Sequence, residues 1–203
     1  GSFAVIEGPV MAGADRFEGA GGNDELLGSA GEDILAGGAG ADLVRGGAGN
    51  DSLAGDGGDD RLFGEAGDDT YVLTRGGGQD VIDDGVGHNV VRLGTGIARG
   101  EVAFRHDATD LLIALSDGTR TWVRGGWAQE RIASVVFADG SSVSGSDLRL
   151  SAQSLLHGEG LASLGPAPVF GTPGADTLSG AELFGDAGDD VLRGGGRFHF
   201  GRG

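Results

Sequence analysis

Seven aspartates, Asp15, Asp24, Asp33, Asp42, Asp51, Asp60 and Asp69, recur every nine residues, each two residues after a glycine and two before a large apolar side chain. Carboxylates at a fixed interval suit two chemistries: proton transfer in a substrate cleft, or the holding of cations. Adjacent acids such as Asp59 with Asp60 and Asp189 with Asp190 could suggest glycoside hydrolysis, which needs carboxylates facing each other in a cleft. Here the acids end glycine-rich loops, so cation binding is the better account. Carboxylate and loop carbonyl oxygens, with no His or Cys among them, form a hard donor set. Such a set suits calcium, with about six to eight oxygens, better than magnesium or zinc.

The elements that position these acids follow from the same period. Written as nonads from Val10 to Val72, the chain reads VMAGADRFE, GAGGNDELL, GSAGEDILA, GGAGADLVR, GGAGNDSLA, GDGGDDRLF and GEAGDDTYV. The fourth position is always Gly, and the eighth is apolar: Phe17, Leu26, Leu35, Val44, Leu53, Leu62 and Tyr71. Each nonad is expected to form a six-residue loop ending in Asp and a three-residue strand with one inward side chain. A lone nonad buries too little to fold, so the repeats must stack. With two nonads per coil, Asp15, Asp33, Asp51 and Asp69 share one edge and Asp24, Asp42 and Asp60 the other. Coils about 4.8 Å apart would set ionised carboxylates against one another, and a divalent cation between them reverses the sign of that term.

The pattern GGxGxD with an apolar residue two further on, as in GGAGNDSLA at Gly46 to Ala54, resembles the repeats-in-toxin (RTX) family, whose repeats form a calcium-binding parallel β-roll. The first nonad departs from it, with Val10 and Met11 in place of the glycine pair, so Asp15 is expected to be a half-site or an unfilled cap. After an insertion at Leu73 and Thr74, RGGGQDVID places Asp80 in phase, and DGVGHNVVR puts Asn89, a neutral and weaker oxygen ligand, where Asp is expected. The roll is thus expected over 10–92. The resemblance implies a bacterial protein exported unfolded by type I secretion machinery, which folds outside the cell on millimolar calcium.

From 93 to 150 the nonad phase gives way to alternating strands, EVAFRHD, DLLIALSDGTRTWVRGG and IASVVFADGSSVS, joined by turns at 107–110, 116–118 and 138–140. A small antiparallel β unit capping the roll is expected, and it resembles the β domain that often follows RTX blocks. Trp122 and Trp127 either stack on a sugar or pack against the end of the roll, and packing is favoured because large aromatics dominate small cores. A short helix over 147–156, with Ser146 as its N-cap, and a linker reaching 170 come next. GTPGADTLS at 171–179 and GDAGDDVLR at 185–193 restore the nonad in a second, incomplete block to 203, with only Gly180 to Phe184 between them. If those five residues form a shortened half-coil, Asp176 and Asp190 face each other across one ion.

Composition agrees with an ion-dependent, all-β fold. Forty-five glycines and a net charge of −17 oppose folding, and roughly seven or eight calcium ions would offset the charge. Fourteen basic residues against 31 acidic ones argue against a nucleic-acid partner. The absence of cysteine excludes disulfides and Cys-ligated metals. No apolar run approaches the roughly 20 residues of a membrane span, and the first residues lack a secretory pattern, so an export signal is expected elsewhere in a larger protein. No pair of the four histidines shows metal-ligand spacing, and no nucleophile elbow, HExxH, phosphate loop or dinucleotide fingerprint is present. The expected reading is a non-enzymatic, secreted, extracellular calcium-binding module. The alternative is a ligand- or glycan-binding segment of an adhesin or enzyme.

Overall fold

Two parallel ladders, one for every second nonad, carry the repeat region. The computed structural model describes residues 5–7, 13–106, 109–126 and 131–148, together with five strands between 169 and 200. The strands of the first part are β1 (Val5–Glu7), β2 (Arg16–Glu18), β3 (Glu25–Ala30), β4 (Ile34–Ala39), β5 (Leu43–Ala48), β6 (Ser52–Gly57), β7 (Arg61–Ala66), β8 (Thr70–Leu73), β9 (Gln79–Ile82) and β10 (Asn89–Leu93). Beyond them come β11 (Val102–His106), β12 (Leu111–Leu115), β13 (Arg120–Val123), β14 (Ile132–Val136) and β15 (Ser142–Ser144). Odd strands from β1 to β9 lie in one sheet and even strands from β2 to β10 in the other.

The register makes one coil of two nonads. Leu26 pairs with Val44 and Val44 with Leu62 in one sheet, while Leu35 pairs with Leu53 and Leu53 with Tyr71 in the other, each eighteen residues apart. The insertion at Leu73 and Thr74 lengthens the next coil to twenty residues, as in Arg61 with Val81 and Tyr71 with Val91, without breaking either ladder. Eighth-position side chains from Leu26 to Tyr71, followed by Ile82 and Val91, are at most 1% exposed and fill the space between the sheets. This is the single inward side chain that the period predicts.

The strands are longer than the expected three residues, reaching six from β3 to β7. The cause is that the loop's first residues join the ladder as well: Ser29 and Ala30 pair with Gly47 and Ala48, and Gly38 and Ala39 with Asp56 and Gly57. Only positions four to six of each nonad remain as a turn. The second position supplies the corner, with φ positive even where it is not glycine: Ala20 at 72°, Ser29 at 87°, Asp56 at 67° and Glu65 at 74°. At the fourth position only glycine fits: Gly49 has φ 137°, and an added Cβ would overlap the carbonyl of Gly31 one coil below.

Residues 93–150 do not stand apart as one antiparallel unit. β13 adds parallel to β9 and is followed by antiparallel β12 and β11, whereas β14 adds parallel to β10 and is followed by antiparallel β15. Each hairpin therefore extends one sheet of the roll, giving sheets of eight and seven strands over one continuous core that includes Leu73, Phe104, Ile113, Val135 and Phe137. Trp122 is 4% exposed, on the packed side of its two alternatives, and Trp127 lies outside the described residues. A helical turn covers 145–148, so Ser146, expected as the N-cap, lies inside it and Ser144 Oγ accepts the Asp147 N–H at 3.1 Å instead; the rest of the expected helix and linker up to 168 lies outside the described residues.

The second part, 159–203, is a compact unit of its own. Its strands are β16 (Val169–Phe170), β17 (Thr177–Ser179), β18 (Glu182–Gly185), β19 (Val191–Arg193) and β20 (Arg197–Phe200), all parallel, in a three-stranded and a two-stranded sheet. Thr177 pairs with Val191 fourteen residues on, the sum of one nonad and the five-residue piece at Gly180 to Phe184. Asp176 and Asp190 lie outside the described residues.

Candidate metal centre

The sixth-position acids form two columns, one on each edge of the roll. On one edge Asp15 donates its N–H to Asp33 Oδ1, Asp33 to Asp51 and Asp51 to Asp69, each at 2.8 Å, and Asp69 to Asn89 Oδ1 at 2.8 Å. On the other, Asp24 donates to Asp42 at 2.7 Å, Asp42 to Asp60 at 2.8 Å and Asp60 to Asp80 at 3.2 Å. Nine of the eleven residues expected from the sequence as ligands are thereby brought into two files. Asp15, at the open end, is half-buried, whereas Asp24 through Asp80 are at most 5% exposed.

A second ladder outside the first runs in the opposite sense. Fifth-position side chains accept the N–H one coil later, as in Ala41 to Asn23 Oδ1 at 3.1 Å, Asp68 to Asn50 Oδ1 at 2.8 Å and Gln79 to Asp59 Oδ1 at 2.9 Å. Together the two ladders satisfy turn N–H groups that no helix or ordinary strand pairing would satisfy.

One oxygen of each inner carboxylate is thus used, and the other is not. Oδ2 of Asp33, Asp42, Asp51, Asp60 and Asp69 is buried with no hydrogen-bond partner. A buried carboxylate oxygen left this way costs free energy unless a proton or a cation meets it. The space beside it is defined by the first-position glycines. At Gly19 an added Cβ would lie 2.7 Å from Asp24 Oδ2 and 2.5 Å from the carbonyl oxygen of Gly37. The same two kinds of oxygen, from the Asp five residues on and the Gly eighteen on, bound the space at Gly28, Gly37 and Gly46. At Gly55 the nearest oxygen is again the carboxylate, Asp60 Oδ2. At Gly19, Gly28, Gly37 and Gly46 the nearest polar atoms are thus carboxylate and carbonyl oxygens, the donor set that fits calcium. Among the described residues no three His, Asp or Glu side chains converge as a metal cluster.

The electrostatics agree. Burial pushes the Asp60 carboxyl up to about 7, Asp69 to about 6 and Asp80 to about 8, with neighbouring carboxylates adding to it; Asp42 and Asp51 are raised by the same causes. Each column, in the absence of a cation, works against its own ionisation.

Two residues that spacing alone does not single out sit at the end of one column. The Tyr71 hydroxyl donates to Asp84 Oδ2 at 2.6 Å and accepts the Gly64 N–H at 2.8 Å. Tyr71 reads in the sequence as one more eighth-position apolar residue. Asp84 carries a visible signal, being an acid at the first position, where the six nonads from Gly19 to Gly64 have glycine. On the other edge Thr121 stands level with Asp80, its hydroxyl 3.5 Å from Asp80 Oδ2.

Known proteins share parts of this pattern. The family model for the RTX calcium-binding nonapeptide repeat matches residues 11–44, 36–71 and 182–196. The comparison with curated proteins finds no match. Among solved structures, the crystal structure of extracellular lipase LipA from Serratia marcescens aligns over 90% of this chain and 26% of its own, at 23% identity and a TM-score of 0.29. This chain therefore spans about a quarter of that lipase's length.

Proposed function

We propose that this chain, which carries RTX calcium-binding nonapeptide repeats, is a module whose folding is switched on by extracellular calcium within a larger secreted protein. The observation that carries this reading is the row of buried, partnerless Oδ2 atoms at Asp33, Asp42, Asp51 and Asp60, each beside a cradle that only glycine leaves open. Asp24 and Asp15 continue the same columns toward the N-terminus, and Asp80 continues one of them toward the other end. In the second block Asp176 and Asp190 are proposed to hold an ion in the same manner.

The residues would act as follows. Oδ2 of each inner aspartate and the carbonyl oxygens of the first-position glycines would hold the ion, while Oδ1 keeps the coil-to-coil hydrogen bond. A bound calcium supplies positive charge between carboxylates that otherwise repel. The chain's own part is to place oxygens, to exclude water by burying the column at the sheet edge, and to tie each coil to the next. Without the ion, the entropy of 45 glycines and the repulsion within each column favour the unfolded chain. Calcium is scarce in the cytosol and abundant outside, so the chain would leave the cell unfolded, through type I secretion machinery, and fold on arrival.

Far-UV circular dichroism of the chain titrated with calcium, with magnesium as control, tests this. The expected result is a cooperative gain of β signal with calcium alone. A chain fully folded in chelator would refute the coupling, and absence of calcium binding would refute the site.

A further inference from the structure

The edge carrying Asp15, Asp33, Asp51 and Asp69 ends in a repeat that departs from the others in two places at once. At the first position, where glycines leave the cradle open, stands Asp84; at the sixth, where the others carry Asp, stands Asn89. The ladder fixes which way the Asn89 amide faces. Its Oδ1 takes the Asp69 N–H at 2.8 Å, so Nδ2 must occupy the place that Oδ2 occupies in the aspartates before it. From there Nδ2 donates to Asp84 Oδ2 at 2.8 Å and to the carbonyl oxygen of Val86 at 3.0 Å.

The same Asp84 Oδ2 receives the Tyr71 hydroxyl, and Asp84 Oδ1 receives the Val86 N–H at 3.4 Å. An added Cβ at Gly64 would meet the Tyr71 hydroxyl at 2.6 Å, whereas at Gly46 it would meet a carbonyl of the next coil at 2.9 Å. Asp84 is 3% exposed, and Asn89 and Tyr71 are fully buried. The group is closed: an acid projects into the space that glycine elsewhere keeps open, and an N–H donor faces it where a cation would need an acceptor. The opposite edge also ends on a neutral side chain, Thr121, against Asp80.

We propose that the last cradle on this edge is filled from within. The Asp84 side chain, held by the Asn89 amide and the Tyr71 hydroxyl, occupies the space an ion would need, so the column ends on a hydrogen-bonded plug that takes no calcium. This rests on the calcium reading above and replaces Asn89 as a weak ligand with Asn89 as a hydrogen-bond donor. An ion at this place would have to displace two donors from Asp84 and face the Asn89 NH2 group, a cation against the positive end of an amide dipole.

The test is calcium stoichiometry by isothermal titration calorimetry on the whole chain. Asn89→Asp alone, and Asn89→Asp with Asp84→Gly, which restores the repeat pattern, are each expected to bind one more calcium ion than the unaltered chain. A second measurement uses no variant: in the calcium-saturated unaltered chain, the Asn89 side-chain N–H signals in 15N NMR should be protected from exchange with solvent. Equal, non-zero stoichiometry in all three proteins, or an Asn89 amide that exchanges freely, overturns the plug and leaves the calcium reading standing. No calcium bound by any of them overturns both.

Discussion

Asp60→Asn should stabilise or destabilise the fold according to whether calcium is present. The substitution keeps Oδ1, which accepts the Asp42 N–H at 2.8 Å, and replaces only the buried Oδ2 that faces the cradle at Gly55. With calcium at about 100 times its Kd, each ion no longer held removes about 2.7 kcal/mol of stability. For a domain of this size that lowers Tm by about 5–10 °C. In chelator the opposite term acts. Burial holds the Asp60 carboxyl at about 7 against an ordinary 3.8, so ionising it in the folded chain at neutral pH costs up to about 4 kcal/mol. Removing the charge removes that cost. The assay is far-UV circular dichroism at pH 7.5, by thermal melts in calcium and by trimethylamine N-oxide titration in chelator, where the osmolyte brings an unfolded chain into range. Lower Tm in calcium together with a lower osmolyte midpoint in chelator is the expected pair. A loss of stability under both conditions would show that Oδ2 serves ordinary packing and would refute the reasoning.

Three further outcomes follow from the same geometry. Asp69, Asp60 and Asp80 have folded pKa values of about 6, 7 and 8, above the roughly 3.9 of an unfolded Asp, so their protonation favours the fold. The calcium-free chain should gain β signal in circular dichroism as pH falls from about 8 toward 4, while in calcium the same acidification should release ions, read by a calcium electrode. Leu53→Ala removes a fully buried side chain from the file between the sheets and should cost about 2–5 kcal/mol in calcium, measured by urea denaturation. Gly49→Ala should cost at least about 1–3 kcal/mol by the same measurement, because φ 137° and the Gly31 carbonyl leave no place for a Cβ.

The roll was legible because one number carries both its levels. A nine-residue period states the strand, and its double states the coil, so the pairing of Leu35 with Leu53 and the edge shared by Asp33 and Asp51 follow from counting along the chain. Strand length was less legible: the pairing of loop residues such as Ala30 with Ala48 of the next coil depends on stacking, which no single nonad contains. The exit was the least legible. That β13 joins β9 while β14 joins β10 is set by contacts about 40 residues apart, with no period to announce them. Tyr71 likewise looked like a core residue because its ring is one; the tasks of its hydroxyl, toward Asp84 and the Gly64 N–H, depend on partners that the period does not mark.

The alternation of sheets gives the chain something like a reading frame. Odd nonads feed one sheet and even nonads the other, and each sheet leads into its own hairpin, β13 to β11 or β14 to β15. Deleting a single nonad would transfer every later strand to the opposite sheet and present each hairpin to the wrong partner. Deleting two in succession would shorten the molecule by one coil and leave the exit as it was. Such a chain can lose or gain length in eighteens but not in nines, so parity, rather than length, is what the repeat number must preserve.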